Sequence, residues 1–92
     1  MVEVIMKDKV EILGFYKRKR DSSEFVLFKE NEKIFLTNGI NIWDNQCKRI
    51  EKRYISQCEK VEKIDLEKLL IELKKYNPFA RVLKELERVR KV

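Results

Sequence analysis

Lys17-Arg18-Lys19-Arg20 sets four cations side by side where an alternating apolar stretch, Val10 to Tyr16, ends. Like charges in a row repel, so such a run is either a solvated turn or a seat for something anionic. Lys and Arg neutralise phosphates, and an Arg fork bonds phosphate in bidentate fashion or stacks on a base. Tyr16, just before the run, offers an aromatic face for such stacking. The competing reading is a hairpin tip whose charges keep a sheet edge soluble.

Two further cationic clusters follow. Lys48-Arg49 and Lys52-Arg53 are interrupted only by Ile50 and Glu51. On a helix they would share one surface, whereas on a strand they would divide between two faces. Arg81, Lys84, Arg88 and Lys91 fall, at about 100° per residue, on a narrow stripe opposite the apolar face of a C-terminal helix, with Glu85 and Glu87 beside it. A ridge of that kind can follow a phosphate backbone or an acidic partner. It is equally what the wet side of any amphipathic helix looks like.

Catalysis has little raw material. The chain contains no histidine, the usual proton carrier near neutral pH. It has no glycine-rich phosphate loop, nucleophile elbow or Cys–His pair. Its four aspartates (8, 21, 44 and 65) all fall in predicted turns or caps, where Asp commonly serves the backbone. A metal-dependent nuclease built from Asp21, Glu24 and Lys17 or Lys19 is the one enzymatic alternative, and the non-enzymatic reading is preferred. Two cysteines without histidine do not make a zinc site, so neither metal nor cofactor is expected. Cys47 and Cys58 read as buried or half-buried thiols of a reducing compartment; a bridge between them would suit a hyperthermophile.

The 92 residues carry 22 Lys and Arg against 16 Asp and Glu, a net charge of +6. The first 46 residues are balanced at eight each, so the excess lies entirely in the second half, fourteen against eight. Abundant Lys, Arg and Glu also suit a thermophile-like surface of ion pairs. An apolar share of 43% and only two glycines and one proline describe one globular domain, not a disordered tail. No apolar run reaches the roughly 20 residues of a membrane helix, and the N-terminus lacks a secretory core, so a cytoplasmic protein without a membrane partner is expected.

The elements that must position these charges read as strands first and helices last. Val2–Met6, Val10–Tyr16, Phe25–Phe28 and Ile34–Leu36 are candidate strands, with Asp21-Ser22-Ser23 as a turn. Asn38-Gly39 predicts a two-residue type I′ turn with Thr37 opposite Ile40. That register puts Phe35 and Ile42 on one face and Ile34, Leu36 and Trp43 on the other, so Trp43 reads as core. With both faces apolar, the sheet must curl into a barrel or be covered by helices. Asp65 caps a helix carrying Leu66, Leu69, Leu70 and Leu73. Asn77-Pro78 starts another, with Phe79, Val82, Leu83, Leu86 and Val89 as its apolar stripe. Lys68/Glu72, Arg81/Glu85 and Glu87/Lys91 are spaced to pair along the helices. Residues 47–63 fit helix and strand almost equally, with a slight preference for a strand returning on Ile40–Trp43.

The expected fold is α+β: over residues 1–60, an antiparallel sheet or a small barrel, which resembles SH3-like and Sm-like barrels in architecture alone, packed against two amphipathic helices over 65–91. The expected function is non-enzymatic binding of DNA or RNA, mostly through the backbone and with low sequence specificity. It requires the cationic clusters to converge. The alternative is a protein-interaction module, either a homodimer or an accessory or inhibitory subunit on a larger nucleic-acid-processing or regulatory complex. Neither reading involves a small-molecule substrate.

Overall fold

The computed structural model describes residues 9–44, 50 and 54–91. Five antiparallel strands form one sheet: β1 (Val10–Arg18), β2 (Glu24–Glu30), β3 (Lys33–Thr37), β4 (Ile42–Asp44) and β5 (Cys58–Val61). Helices α1 (Leu66–Tyr76) and α2 (Val82–Arg90) follow, making the fold α+β. The strand order is β4-β3-β2-β1-β5, an open sheet with β4 and β5 at its edges. The expected strand at Val2–Met6 lies outside the described residues.

Strand alternation gives the sheet two apolar faces, and each is covered differently. Val26 and Phe28 of β2, with Val10, Ile12 and Phe15 of β1, meet Leu69, Leu70 and Leu73 of α1 and Val82, Leu83 and Leu86 of α2. Phe25, Leu36 and Trp43 on the reverse face pack with Ile50, Tyr54 and Ile55 from the segment between β4 and β5. The Trp43 and Tyr54 rings meet tilted at 31°, with centroids 4.8 Å apart.

β1 reaches the helix side at both ends through a bulge. Ile12 pairs with Phe28 and Gly14 with Leu27, leaving Leu13 as an extra residue. Strict alternation would put Ile12 and Phe15 on opposite faces; the added residue returns both to the helix face.

Three expectations about connections are corrected. The first is the Asn38-Gly39 turn. Thr37 pairs with Ile42, not Ile40, so the β3–β4 loop has four residues. Gly39 has φ +98°, whereas Asn38 is not among the positive-φ residues, as type I′ would require. Asn38 instead accepts the Ile40 and Asn41 N–H groups on Oδ1, and the buried Thr37 hydroxyl donates to the Asn41 carbonyl and accepts the Gly39 N–H. The two-residue turn lies at Asn31-Glu32, between the paired Glu30 and Lys33, with Asn31 at φ +59°.

The second is the strand expected to return on Ile40–Trp43. Cys58–Val61 pairs with β1 at the far edge of the sheet, and Ile55–Gln57, inside the 47–63 span, is a 3₁₀ turn. The third is the start of the last helix. α2 begins at Val82, four residues later than Pro78 suggested, because Asn77 closes α1 and its Nδ2 donates to the Gly39 and Ile40 carbonyls. Phe79 consequently leaves the apolar stripe and stands 95% exposed. The Asp65 cap is as expected, its side chain accepting the Lys68 N–H.

Candidate functional site

β1 carries the four-cation run further into the sheet than its charge suggested, since the strand continues through Arg18. Arg18 holds Asp21 through two hydrogen bonds, Nε to Oδ1 at 2.9 Å and Nη2 to Oδ2 at 2.7 Å. It also reaches the Ser23 hydroxyl and lies over the Phe25 ring, 5.5 Å from its centroid. The Arg18 bonds, helped by the Ser23 N–H, push the Asp21 carboxyl far below the usual carboxylate range. Lys17 approaches Glu24 at 3.9 Å. Half of the run is thus neutralised where the chain turns. Tyr16 is partly buried and packs against the Phe25, Leu36 and Ile50 cluster. Only Lys19 and Arg20 are exposed at the tip without an ion-pair partner among the described residues.

Asp21, the acid in the nuclease alternative, is therefore engaged by Arg18 and the Ser23 N–H. Among the described residues no group of three or more Cys, Asp or Glu side chains is placed to hold a metal ion. No helix among them is long and apolar enough to cross a membrane. Burial raises the Cys58 pKa, and the thiol donates to the Tyr54 carbonyl at 3.1 Å, which fits a packed side chain. Lys48, Arg49, Lys52 and Arg53 lie outside the described residues.

The α2 ridge is different. Burying Val82, Leu83 and Leu86 turns Arg81, Lys84, Arg88 and Lys91 to solvent. An open groove of about 740 Å³ runs beside α2. Val10, Ala80 and Leu83 contribute apolar surface, Phe79 an exposed ring, and Lys9, Arg81, Lys84 and Arg88 four cations. Glu85 and Glu87 also line it, but each is engaged: Glu85 by Arg88, and Glu87 by Lys74 of α1 at 2.9 Å, which lowers the Glu87 pKa. Arg81 bridges to Glu30 at the end of β2, 3.5 Å away. The ion pairs therefore differ from the expected i,i+4 set. Lys9 and Lys84 have no ion-pair partner among the described residues. Lys91 is exposed and does not line the groove.

The 17–20 run and the α2 groove do not converge; the convergence that binding requires is met only within the groove, between Lys9 and the α2 cations. Lys9 precedes the first residue of β1, whereas Lys19 and Arg20 follow its last. Eight residue steps at about 3.3 Å separate the two ends by roughly 25 Å. The expectation of one shared cationic surface is corrected for these two patches.

Sequence reasoning missed Lys9 and Phe79. Lys9 becomes part of the groove only because β1 and α2 pack together, which local sequence does not encode. The sequence pattern places Phe79 on the apolar stripe of the last helix. The usable signal was Asn77, which can close one helix instead of opening the next. No protein-family model, curated protein or solved structure matches the chain, so the geometry carries the functional reading.

Proposed function

We propose that this protein binds nucleic acid without catalysis, through the groove beside α2, with contacts mainly to phosphates and little sequence preference. The supporting observation is that Lys9, Arg81, Lys84 and Arg88, from two separate segments, line one groove in which both carboxylates already have cationic partners. Cations held on a folded scaffold neutralise successive phosphates and release condensed counterions, which makes affinity steeply salt-dependent.

The test is fluorescence anisotropy of labelled oligonucleotides over a salt series. Four phosphate contacts give a slope of about −3 in log K against log salt. Lys9→Ala/Lys84→Ala removes two cations without an ion-pair partner among the described residues, so the slope should fall in magnitude by about 1.5 with the fold intact. An unchanged slope in this variant overturns the assignment to the groove. The matching Lys19→Ala/Arg20→Ala variant measures whether the other end of β1 contributes.

A second reading, a protein-docking module, is favoured by the exposed Ile71 and Tyr76 of α1 together with Phe79. Light scattering tests it for self-association, with Ile71→Lys as the disrupting variant.

A further inference from the structure

We infer that the groove beside α2 takes an unpaired strand, with one base stacked on Phe79 and neighbouring phosphates on Lys9, Arg81 and Lys84. This rests on the phosphate-binding reading above and adds the class of nucleic acid.

Isolated apolar side chains on a surface are ordinary and need no ligand. Phe79 is set apart by its surroundings. Its ring lines the same groove as four cations, at 95% exposure. Its backbone belongs to a tethered turn: Asn77 donates to the Gly39 and Ile40 carbonyls, and the Ala80 N–H donates to the Asn77 carbonyl at 3.0 Å. Pro78 restricts φ immediately before it. The backbone that carries the ring is therefore held in place before any ligand arrives.

The groove therefore suits an occupant with regularly spaced negative charge and a flat apolar face. A nucleic-acid strand has both, and every base has a π face to stack, so the contact tolerates any sequence. In a duplex those faces are covered by neighbouring base pairs; sequence-tolerant stacking on an aromatic side chain needs bases splayed out of the stack.

The experiment compares three labelled ligands by anisotropy at one salt concentration: a thymidine oligonucleotide, the same strand without bases, and a duplex. Wild type, Phe79→Ala and Phe79→Trp are measured, with circular dichroism confirming that each is folded. Wild type should bind the thymidine strand more tightly than the other two. Phe79→Ala should weaken that strand about 5- to 150-fold while leaving the abasic strand and the duplex unchanged, and Phe79→Trp should restore it. Equal binding of the thymidine strand by wild type and Phe79→Ala, with a steep salt dependence retained, overturns the stacking inference and leaves phosphate binding in place. No binding of any oligonucleotide at low salt removes both. Self-association of wild type that Phe79→Ala abolishes, without oligonucleotide binding, also overturns the inference and makes Phe79 a protein contact.

Discussion

Replacing Gly39 by alanine tests whether the β3–β4 loop is seated on α1 as described. A Cβ at this position would lie 3.0 Å from the Glu72 Cβ and 3.1 Å from the Leu69 carbonyl oxygen. Neither atom can rotate aside: one is a backbone oxygen, and the other is fixed to the helix backbone. The residue also holds φ +98°, which costs a side-chain-bearing residue about 1–3 kcal/mol. Prising the loop from the helix adds a term like that of overpacking, about 1–3 kcal/mol. The lower entropy of the unfolded alanine chain offsets about 0.4–1 kcal/mol. Gly39→Ala should therefore destabilise the protein by about 1–5 kcal/mol, centred near about 3 kcal/mol. With an m-value of about 1–3 kcal/mol/M, a loss of about 3 kcal/mol lowers the urea midpoint by about 1–3 M, followed by circular dichroism. Gly14→Ala is the internal control. Its Cβ would meet the Lys60 Cε at 3.1 Å, the far end of a flexible side chain, and its φ lies outside the left-handed region. That variant should stay within about 1 kcal/mol of wild type. Equal midpoints for the two variants would refute the reasoning, because sterics and backbone conformation would then have failed to distinguish a clamped glycine from an open one.

Other expected outcomes are read by equally direct measurements. The folded-state pKa of Asp21 lies below its unfolded value of about 3.9, so the Arg18–Asp21 contribution to stability is present above about pH 4 and is lost as pH falls through the folded value. Asp21→Asn should thus lower Tm at pH 6, with the gap from wild type narrowing steadily as pH falls from about 4 to 2 in thermal melts. Leu86 is fully buried between α2 and the rest of the core, and Leu86→Ala should cost about 2–5 kcal/mol in urea titrations.

Much of the architecture was legible because it depends on local periodicity. Leu66, Leu69, Leu70 and Leu73 return to one side of a helix whatever packs there, and the Asp65 cap is satisfied within its own first turn. The division of Phe35 and Ile42 from Ile34, Leu36 and Trp43 survived a wrong register. The actual pairing is displaced by two residues, and a shift of two preserves faces in a structure of period two. Apolar residues on both faces already required the sheet either to curl into a barrel or to be covered, and the open sheet takes the second course.

What covers each face, and which charges remain available, was settled only by contacts between distant residues. Asn38-Gly39 has the chemistry of a tight turn, but Asn77, 38 residues beyond Gly39, bonds its carbonyl, and α1 packs against the loop. Cys58–Val61 pairs with β1 and not with the strand nearer in sequence, because the chain first crosses the reverse face, where Ile50 and Tyr54 cover Phe25, Leu36 and Trp43. The most conspicuous run of cations gives up Arg18 to Asp21 and Lys17 to Glu24. A groove assembles elsewhere from Lys9 and, 70 or more positions further along, Phe79 and the α2 ridge. Sequence by itself determines which side chains can share a face, since that follows from backbone repeat. Tertiary structure alone decides which face meets which partner and which cation keeps its charge free, since both depend on pairings that no local repeat specifies.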